Sequence, residues 1–157
     1  RDMKPKITAI FFVFILLIPV TLLSYRSPPE AEENARVTGH ENSNLQWGPC
    51  PAFMPDECRV TVLNGSPEKP NADIFFKVNS QSVIPEHTHT SAERMVLVSG
   101  ELQVNYEGQQ PDVMTTGDYG YGPPEKPHSA TCISDEPCVL FIAFEEPIDA
   151  FPVNNRD

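Results

Sequence analysis

The pattern of apolar and polar positions after residue 58 is typical of short β-strands. Glu101–Tyr106 alternates polar and apolar residues, as a strand with one solvated face requires. Residues 139–144 are apolar throughout, which favours a strand covered on both faces. Other runs rich in β-branched and aromatic residues predict strands over residues 59–63, 74–78 and 94–99.

Proline and glycine divide these runs and argue against long helices. The chain holds 17 prolines and 8 glycines, and proline interrupts helices while both residues favour turns. Ser99-Gly100 and Glu107-Gly108 are predicted hairpin corners. Together the patterns predict an all-β fold, a small antiparallel barrel over residues 49–150, followed by a tail at 151–157.

The N-terminal segment has a different character. Residues 7–25 carry no charge and follow Arg1, Lys4 and Lys6, the profile of a signal peptide or a signal anchor over residues 1–26. The run is predicted to form a hydrophobic helix. It predicts export to the periplasm or another extracytoplasmic compartment, with membrane attachment if the segment is not cleaved. Residues 27–48, rich in Pro, Glu, Asn and Ser, are predicted to form a disordered, flexible linker.

Charge limits the classes of partner. The formal net charge is −11, from 22 acidic and 11 basic residues. Such a field disfavours nucleic acid and anionic lipid surfaces as partners. The same acidic surface is also explained by solubility alone.

Four cysteines fall into two local pairs. Cys50 and Cys58 lie eight positions apart, and Cys132 and Cys138 six apart. In an oxidising compartment four cysteines allow three pairings, and the two local disulfides are favoured. A zinc site of four thiols is the alternative, although neither pair has C-x2-C spacing. Cys132 also lies four residues after His128, so a reduced thiol there would face the same interior.

Three histidines and a carboxylate suggest a metal site. His87 and His89 are two positions apart, so on a strand both side chains point to one face. Glu93 lies an even four residues further on and can return to that face. With His128 these residues would give three imidazoles and one carboxylate, a set that suits one divalent transition metal ion, whether Fe, Mn, Ni, Cu or Zn.

The spacing of these residues resembles the two motifs of the cupin family. The first, G-x5-H-x-H-x3,4-E-x6-G, is matched from His87 to Gly100, with Gln81 in place of the opening glycine. The second, G-x5-P-x-G-x2-H-x3-N, is matched by Gly117, Pro123 and His128; Glu125 replaces its second glycine and Cys132 its asparagine. The resemblance covers roughly residues 57–146. It implies a cupin barrel, or jelly roll, with a metal bound by His87, His89, Glu93 and His128.

The surroundings of the site predict a mostly apolar pocket for a small, aromatic or diketone-like ligand. Met95 and Leu97 should share the face of Glu93, and Ala130 that of His128. The candidates for proton transfer near the mouth are Glu86, Tyr119 and Tyr121, and the catalytic candidates are Glu93 and Tyr121. The expected apolar wall is formed by Phe75, Phe76, Phe141 and Phe144.

Three functions fit this sequence. The favoured one is a metal-dependent enzyme of the dioxygenase or oxidoreductase type; the others are a non-catalytic metal-binding or sensor module and a barrel with a structural metal. Cupin-like barrels often pair, which suggests a homodimer. Residues 44–54, with Leu45, Trp47 and Phe53, would cover a sheet edge in the same or a neighbouring chain.

Overall fold

The computed structural model describes residues 34–153, and this part of the chain is built from β-strands joined by turns. No helix within it is long and apolar enough to cross a membrane. The predicted signal segment lies outside the described residues. The strands are β1 (Gly48–Pro49), β2 (Arg59–Asn64), β3 (Ala72–Val78), β4 (Val83–Thr88), β5 (Glu93–Ser99), β6 (Glu101–Tyr106), β7 (Asp112–Thr115), β8 (Tyr119–Gly122), β9 (His128–Cys132), β10 (Cys138–Phe144) and β11 (Phe151–Pro152).

The strands form two antiparallel sheets that face each other. One has the order β1-β2-β3-β10-β5-β8 and the other the order β11-β4-β9-β6-β7. The core lies between them, and its buried members alternate along each strand, for example Leu140, Ile142 and Phe144 on β10. The all-β, antiparallel barrel predicted from the sequence is confirmed.

The turns follow the sequence prediction at one corner and depart from it at the other. Gly108 has φ 74° in the hairpin that joins the paired strands β6 and β7, as expected. Gly100 also has positive φ, 85°, but β5 and β6 belong to different sheets. The prediction of a hairpin at Ser99-Gly100 was therefore wrong, because this corner carries the chain from one sheet to the other.

The two positions that depart from the glycines of the cupin motifs keep a glycine-like backbone. Gln81 has φ 62° and Glu125 has φ 59°, in the left-handed region that residues with a Cβ rarely adopt. The Glu125 amide donates to the His89 carbonyl at 2.8 Å. The motif geometry is thus preserved without the motif residue.

Both predicted disulfides are present, which confirms the local pairing. Cys50–Cys58 closes a loop before β2, and Cys132–Cys138 ties the end of β9 to the start of β10. The described residues contain no free cysteine, so the four-thiol zinc site and the reduced Cys132 are wrong.

The first and last strands of the domain pair with strands of the same chain. β1 pairs with β2, so the segment at residues 44–54 extends a sheet edge of its own chain. Lys77 Nζ lies 5.0 Å from the centre of the Trp47 ring, which places this tryptophan on its own barrel. β11 pairs with β4, so the barrel extends into the stretch that was predicted as a tail.

Candidate metal centre

Three histidines converge on one point between the sheets. His87 lies on β4, His89 follows the end of that strand, and His128 opens β9. His87 and His128 face each other across the paired strands. The ligand atoms of the three side chains all lie within 4.8 Å of one another. Their side chains are buried or nearly so, since His87 is 5% and His89 7% exposed.

A bulge at Pro85 sets the direction of His87. The register between β4 and β9 shifts between Ile84 and His87, and proline, which cannot donate to a sheet, is tolerated at such irregularities. Because of this shift, Ile84 and His87 are both buried although they are three residues apart. Glu86 is exposed as a result.

Backbone carbonyls fix the tautomer of each imidazole. His87 Nδ1 donates to the Pro85 carbonyl at 2.7 Å, and His128 Nδ1 to the Lys126 carbonyl at 2.9 Å. His89 Nδ1 donates to the Asp149 carbonyl. A carbonyl can only accept, so each Nδ1 carries a proton and each Nε2 of a neutral ring has a lone pair for the shared centre.

Glu93, the first residue of β5, completes the cluster. Its Oε1 lies 3.3 Å from His89 Nε2, and its Oε2 lies 3.3 Å from His128 Nε2. In the neutral ring with its proton on Nδ1, His89 Nε2 is an acceptor that faces another acceptor. It is buried without a hydrogen-bond partner among the described residues. A cation at the centre would relieve this unfavourable contact, so the four side chains fit a divalent metal ion.

The pKa shifts describe how the cluster holds protons without a metal. Burial, together with repulsion from His128, lowers the pKa of His87 to about 4. Burial alone would raise the pKa of Glu93, but its hydrogen bond with His128 and the charge of the histidines outweigh burial and lower it. Burial likewise opposes the charge on His128, yet the bond to Glu93 raises the pKa of His128. A proton on His128 therefore balances the Glu93 carboxylate when no metal is bound.

A largely apolar cavity adjoins the cluster. Its volume is about 170 Å³. Both sheets contribute to its wall, as do the Cys50–Cys58 loop and residues 148–150. The apolar residues that line it include Met54, Ile74, Phe76, Ile84, Met95, Leu102, Val104, Ala130, Leu140, Ile142, Phe144 and Ile148.

Tyr106 is a residue of this site that the sequence reasoning missed. It lines the cavity, and its ring centre lies 5.2 Å from that of His128. Burial, and then the negative charge of Glu93, raise the pKa of Tyr106, so the hydroxyl stays protonated at neutral pH. The alternation in Glu101–Tyr106 held the signal: Leu102, Val104 and Tyr106 share one face, and all three line the cavity.

Comparison with known protein families shows which family this chain belongs to. Residues 36–147 match the ChrR cupin-like domain. The chain belongs to this cupin family. No curated protein matches the chain.

Three solved structures illustrate the fold that this chain shares. The DMSP lyase DddQ from Ruegeria pomeroyi DSS-3 is similar with a TM-score of 0.61 and 20% identity, over 72% of this chain and 63% of that one. KdgF from a Halomonas species has a TM-score of 0.55 and 17% identity, over 67% of this chain and 90% of its own. Oxalate decarboxylase from Lactobacillus farciminis has a TM-score of 0.57 and 18% identity, over 70% and 34% respectively.

These likenesses show the cupin fold alone, because the identities are low. The chain spans 63% of the length of the DMSP lyase it matches. The chemistry of this cupin therefore has to be argued from its own residues.

Several predicted pocket residues lie where they were expected, and others do not. Met95 and Ala130 line the cavity, and Leu97 is buried on the same face of β5. Of the four predicted wall residues, Phe76 and Phe144 line the cavity. Phe75 and Phe141 lie on the opposite face of their strands and contact each other at 6.4 Å between ring centres, because alternate residues of a strand face opposite sides.

The structure places Tyr119 and Tyr121 outside the cavity, which corrects their assignment as proton donors. Their side chains are 62% and 53% exposed. On β8 the glycines take the inward positions: Gly120 faces Met95 and Met114, and Gly122 faces Tyr106 and Glu93. Alternation therefore turns both tyrosines outward, so neither Tyr119 nor Tyr121 lines the cavity. Glu86 is also exposed, because of the register shift between Ile84 and His87.

Proposed function

We propose that this cupin is a metal-dependent enzyme that acts on a small molecule. One observation carries the proposal: three imidazole Nε2 atoms and the Glu93 carboxylate converge at the wall of an apolar cavity that has room for a ligand. A purely structural metal site would have no need for an adjoining cavity.

Each residue of the site has a distinct part in this proposal. A divalent ion held by the three histidines and Glu93 would act as a Lewis acid and, if redox-active, would exchange electrons with the substrate. The apolar wall excludes water and orients the substrate. The Tyr106 hydroxyl, beside Glu93, is a neutral donor that can give a hydrogen bond to a substrate oxygen.

Among reaction classes, we favour a dioxygenase or a related oxidoreductase. Histidine and carboxylate ligands with open positions suit redox-active iron and its neighbours in the transition series. The apolar cavity also suits a substrate that is poor in polar groups. The bound ion would then be one of the redox-active candidates, Fe, Mn, Ni or Cu, whereas zinc would argue against this class.

Metal content is the first test. The full chain, produced in an oxidising compartment, should contain one equivalent of a transition metal by elemental analysis, and His87→Ala/His89→Ala should contain none. His40→Ala is the matched control, because His40 packs against Phe75 outside the cluster. A protein without metal in either form, despite a native circular dichroism spectrum, would refute the proposal.

The reaction class needs a second assay. Substrate-dependent oxygen uptake should be found within a panel of phenols, diketones and related small molecules, and should disappear in His128→Ala. No uptake with any redox metal across that panel would exclude the oxygenase.

A non-catalytic ligand-binding module is the second candidate. It is favoured by the scarcity of acid and base groups: apart from the four cluster residues, Tyr106 and Asp149 are the titratable side chains that line the cavity among the residues the structure describes, and the Asp149 carboxylate accepts from the Thr90 amide at 2.9 Å. Such a module predicts saturable ligand binding that raises the melting temperature without product formation.

We propose in addition that the domain works outside the cytoplasm. Two disulfides and the apolar, charge-free run at residues 7–25 support this location. Cell fractionation of the full chain would test it. Recovery from the cytosol with both cysteine pairs reduced would refute it.

A further inference from the structure

The composition of the cavity wall restricts the kind of ligand that it can accept. Among the described residues that line the cavity there is no lysine, arginine, serine, threonine, asparagine or glutamine side chain. Polar groups are confined to the metal cluster, Tyr106 and Asp149. The Asp149 carboxylate is engaged by the Thr90 amide and hydroxyl. A ligand therefore meets polar partners at one end only.

The charge of the loaded cluster sets the charge of that polar end. A divalent ion brings two positive charges, the Glu93 carboxylate brings one negative charge, and the three imidazoles are neutral when they bind metal. The sum is about plus one. One negative charge on the ligand balances it, whereas a second would find no cation in the wall and would be costly to bury.

The cavity volume limits the size of the apolar part of the ligand. The cavity, which includes the space beside the four cluster residues, measures about 170 Å³, so this volume is an upper limit for the ion and the ligand together; an apolar cavity of about 150 Å³ is known to hold benzene. The apolar part of the ligand therefore has the size of a short branched chain or a single ring. Leu102, Val104 and Leu140 are among the side chains it would contact.

We infer that the ligand of this site is a small monoanion with one oxygen-bearing head and a compact apolar body. The head binds the metal and accepts a hydrogen bond from Tyr106, and the body fills the apolar cavity. This inference rests on the proposed metal site and adds the ligand class to it. The same wall disfavours dicarboxylates, sugars and other ligands that are polar at both ends.

The test compares ligands that share a head and differ at the far end. The full chain loaded with zinc, which has no redox chemistry, is titrated by calorimetry with butyrate and succinate, and with benzoate as the ring-sized member. Butyrate and benzoate should bind, and succinate should bind at least about tenfold more weakly than butyrate. The metal-free protein should bind none of them.

A substitution in the wall should reverse this preference. Val104→Lys places a cation at a half-buried cavity position on β6, where a long side chain can extend toward solvent. The succinate-to-butyrate affinity ratio should then rise at least about tenfold. Val113→Lys is the matched control, because Val113 lies on the neighbouring strand with 46% of its surface exposed and outside the cavity. It should leave the ratio unchanged.

The outcomes separate the two proposals. A protein that takes up no zinc would overturn the metal site and the ligand class together. A zinc-loaded protein that binds succinate as tightly as butyrate, or that binds neither butyrate nor benzoate, would overturn the ligand class and leave the metal site standing. If Val104→Lys loses its fold, the comparison of ligands on the unmodified chain still decides the question.

Discussion

Glu125 shows how a single residue can keep a motif's geometry at an energetic cost. Its φ of 59° is in the left-handed region, which costs a residue with a Cβ about 1–2 kcal/mol. Its side chain is exposed, while its amide donates to the His89 carbonyl next to the cluster. The site therefore depends on the backbone conformation at this position and not on the carboxylate.

Replacing Glu125 with glycine should accordingly stabilise the fold. We expect Glu125→Gly to raise the free energy of unfolding by about 1 kcal/mol, since relief of the left-handed strain exceeds the extra entropy of the unfolded chain. Urea denaturation of the metal-free protein would measure it. Gly108→Ala is the opposite control: with φ 74° and no atom within 4 Å of the added Cβ, it should lose about 1 kcal/mol. A destabilised Glu125→Gly would mean that the carboxylate contributes more than the strain costs.

Gly122 is the residue that leaves room for the cluster on its β8 side. A Cβ at this position would lie 2.9 Å from Tyr106 Oη and 3.0 Å from Glu93 Oε2, closer than real Cβ contacts. We expect Gly122→Ala to displace the Glu93 carboxylate and weaken metal binding about tenfold or more, as measured by competition with a chromogenic chelator.

Gly120→Ala is the matched control for that change. Its Cβ would meet the flexible side chains of Met95 and Met114, at 3.0 and 3.2 Å, which can move aside. Metal affinity should stay near that of the unmodified chain. Equal loss of affinity in both variants would show that β8 as a whole, and not the Glu93 contact, is disturbed.

At the scale of strands, the sequence predicted those elements whose pattern of apolar and polar residues is visible within the strand itself. β6 alternates cleanly and β10 is apolar throughout, and their predicted ranges agree with the structure to within one residue at each end. β8 was not predicted, because Tyr-Gly-Tyr-Gly has low strand propensity. Its glycines are required by side chains of β5 that lie distant in sequence, including Met95 and Glu93.

The residues of the site also divide into those that the sequence predicted and those that it did not. The motif intervals predicted which four polar side chains would meet, and the structure brings His87, His89, Glu93 and His128 together. The cavity contacts were harder to predict, because they depend on which face of each strand turns inward. Tyr106 was missed and Tyr121 was chosen for this reason, although the period of two along β6 and the glycines of β8 contained the answer.

The two disulfides hold different pairs of elements and should differ in effect. Cys50→Ala/Cys58→Ala should lower the free energy of unfolding by about 2–3 kcal/mol and leave metal content unchanged, since its loop contributes no cluster residue. The Cys132→Ala/Cys138→Ala variant should lose more free energy of unfolding. The disulfide that it removes links strands of opposite sheets, and both cysteines are buried, at 0% and 2% exposure. Thermal unfolding of the metal-free forms would compare them. A larger loss from the first pair would contradict this ranking.

For the whole molecule, metal binding and proton binding compete at one centre. In the metal-free protein the His128 imidazole has a raised pKa and shares its proton with Glu93. A metal ion needs the lone pair of His128 Nε2, so it must displace that proton. His87 does not compete until far lower pH, because its pKa is lowered to about 4.

Metal affinity should therefore fall as the pH drops through the raised pKa of His128, and should level off above it. Below that pKa the loss should be about tenfold per pH unit, as expected for one displaced proton. Zinc titrations by calorimetry, in two buffers of different ionisation enthalpy, would count the released protons directly. The count should be near one at mildly acidic pH and approach zero at the alkaline end. Release of two or more protons at mildly acidic pH would mean that a second histidine of the cluster is also charged without metal, and an affinity that does not change with pH would mean that His128 carries no proton there.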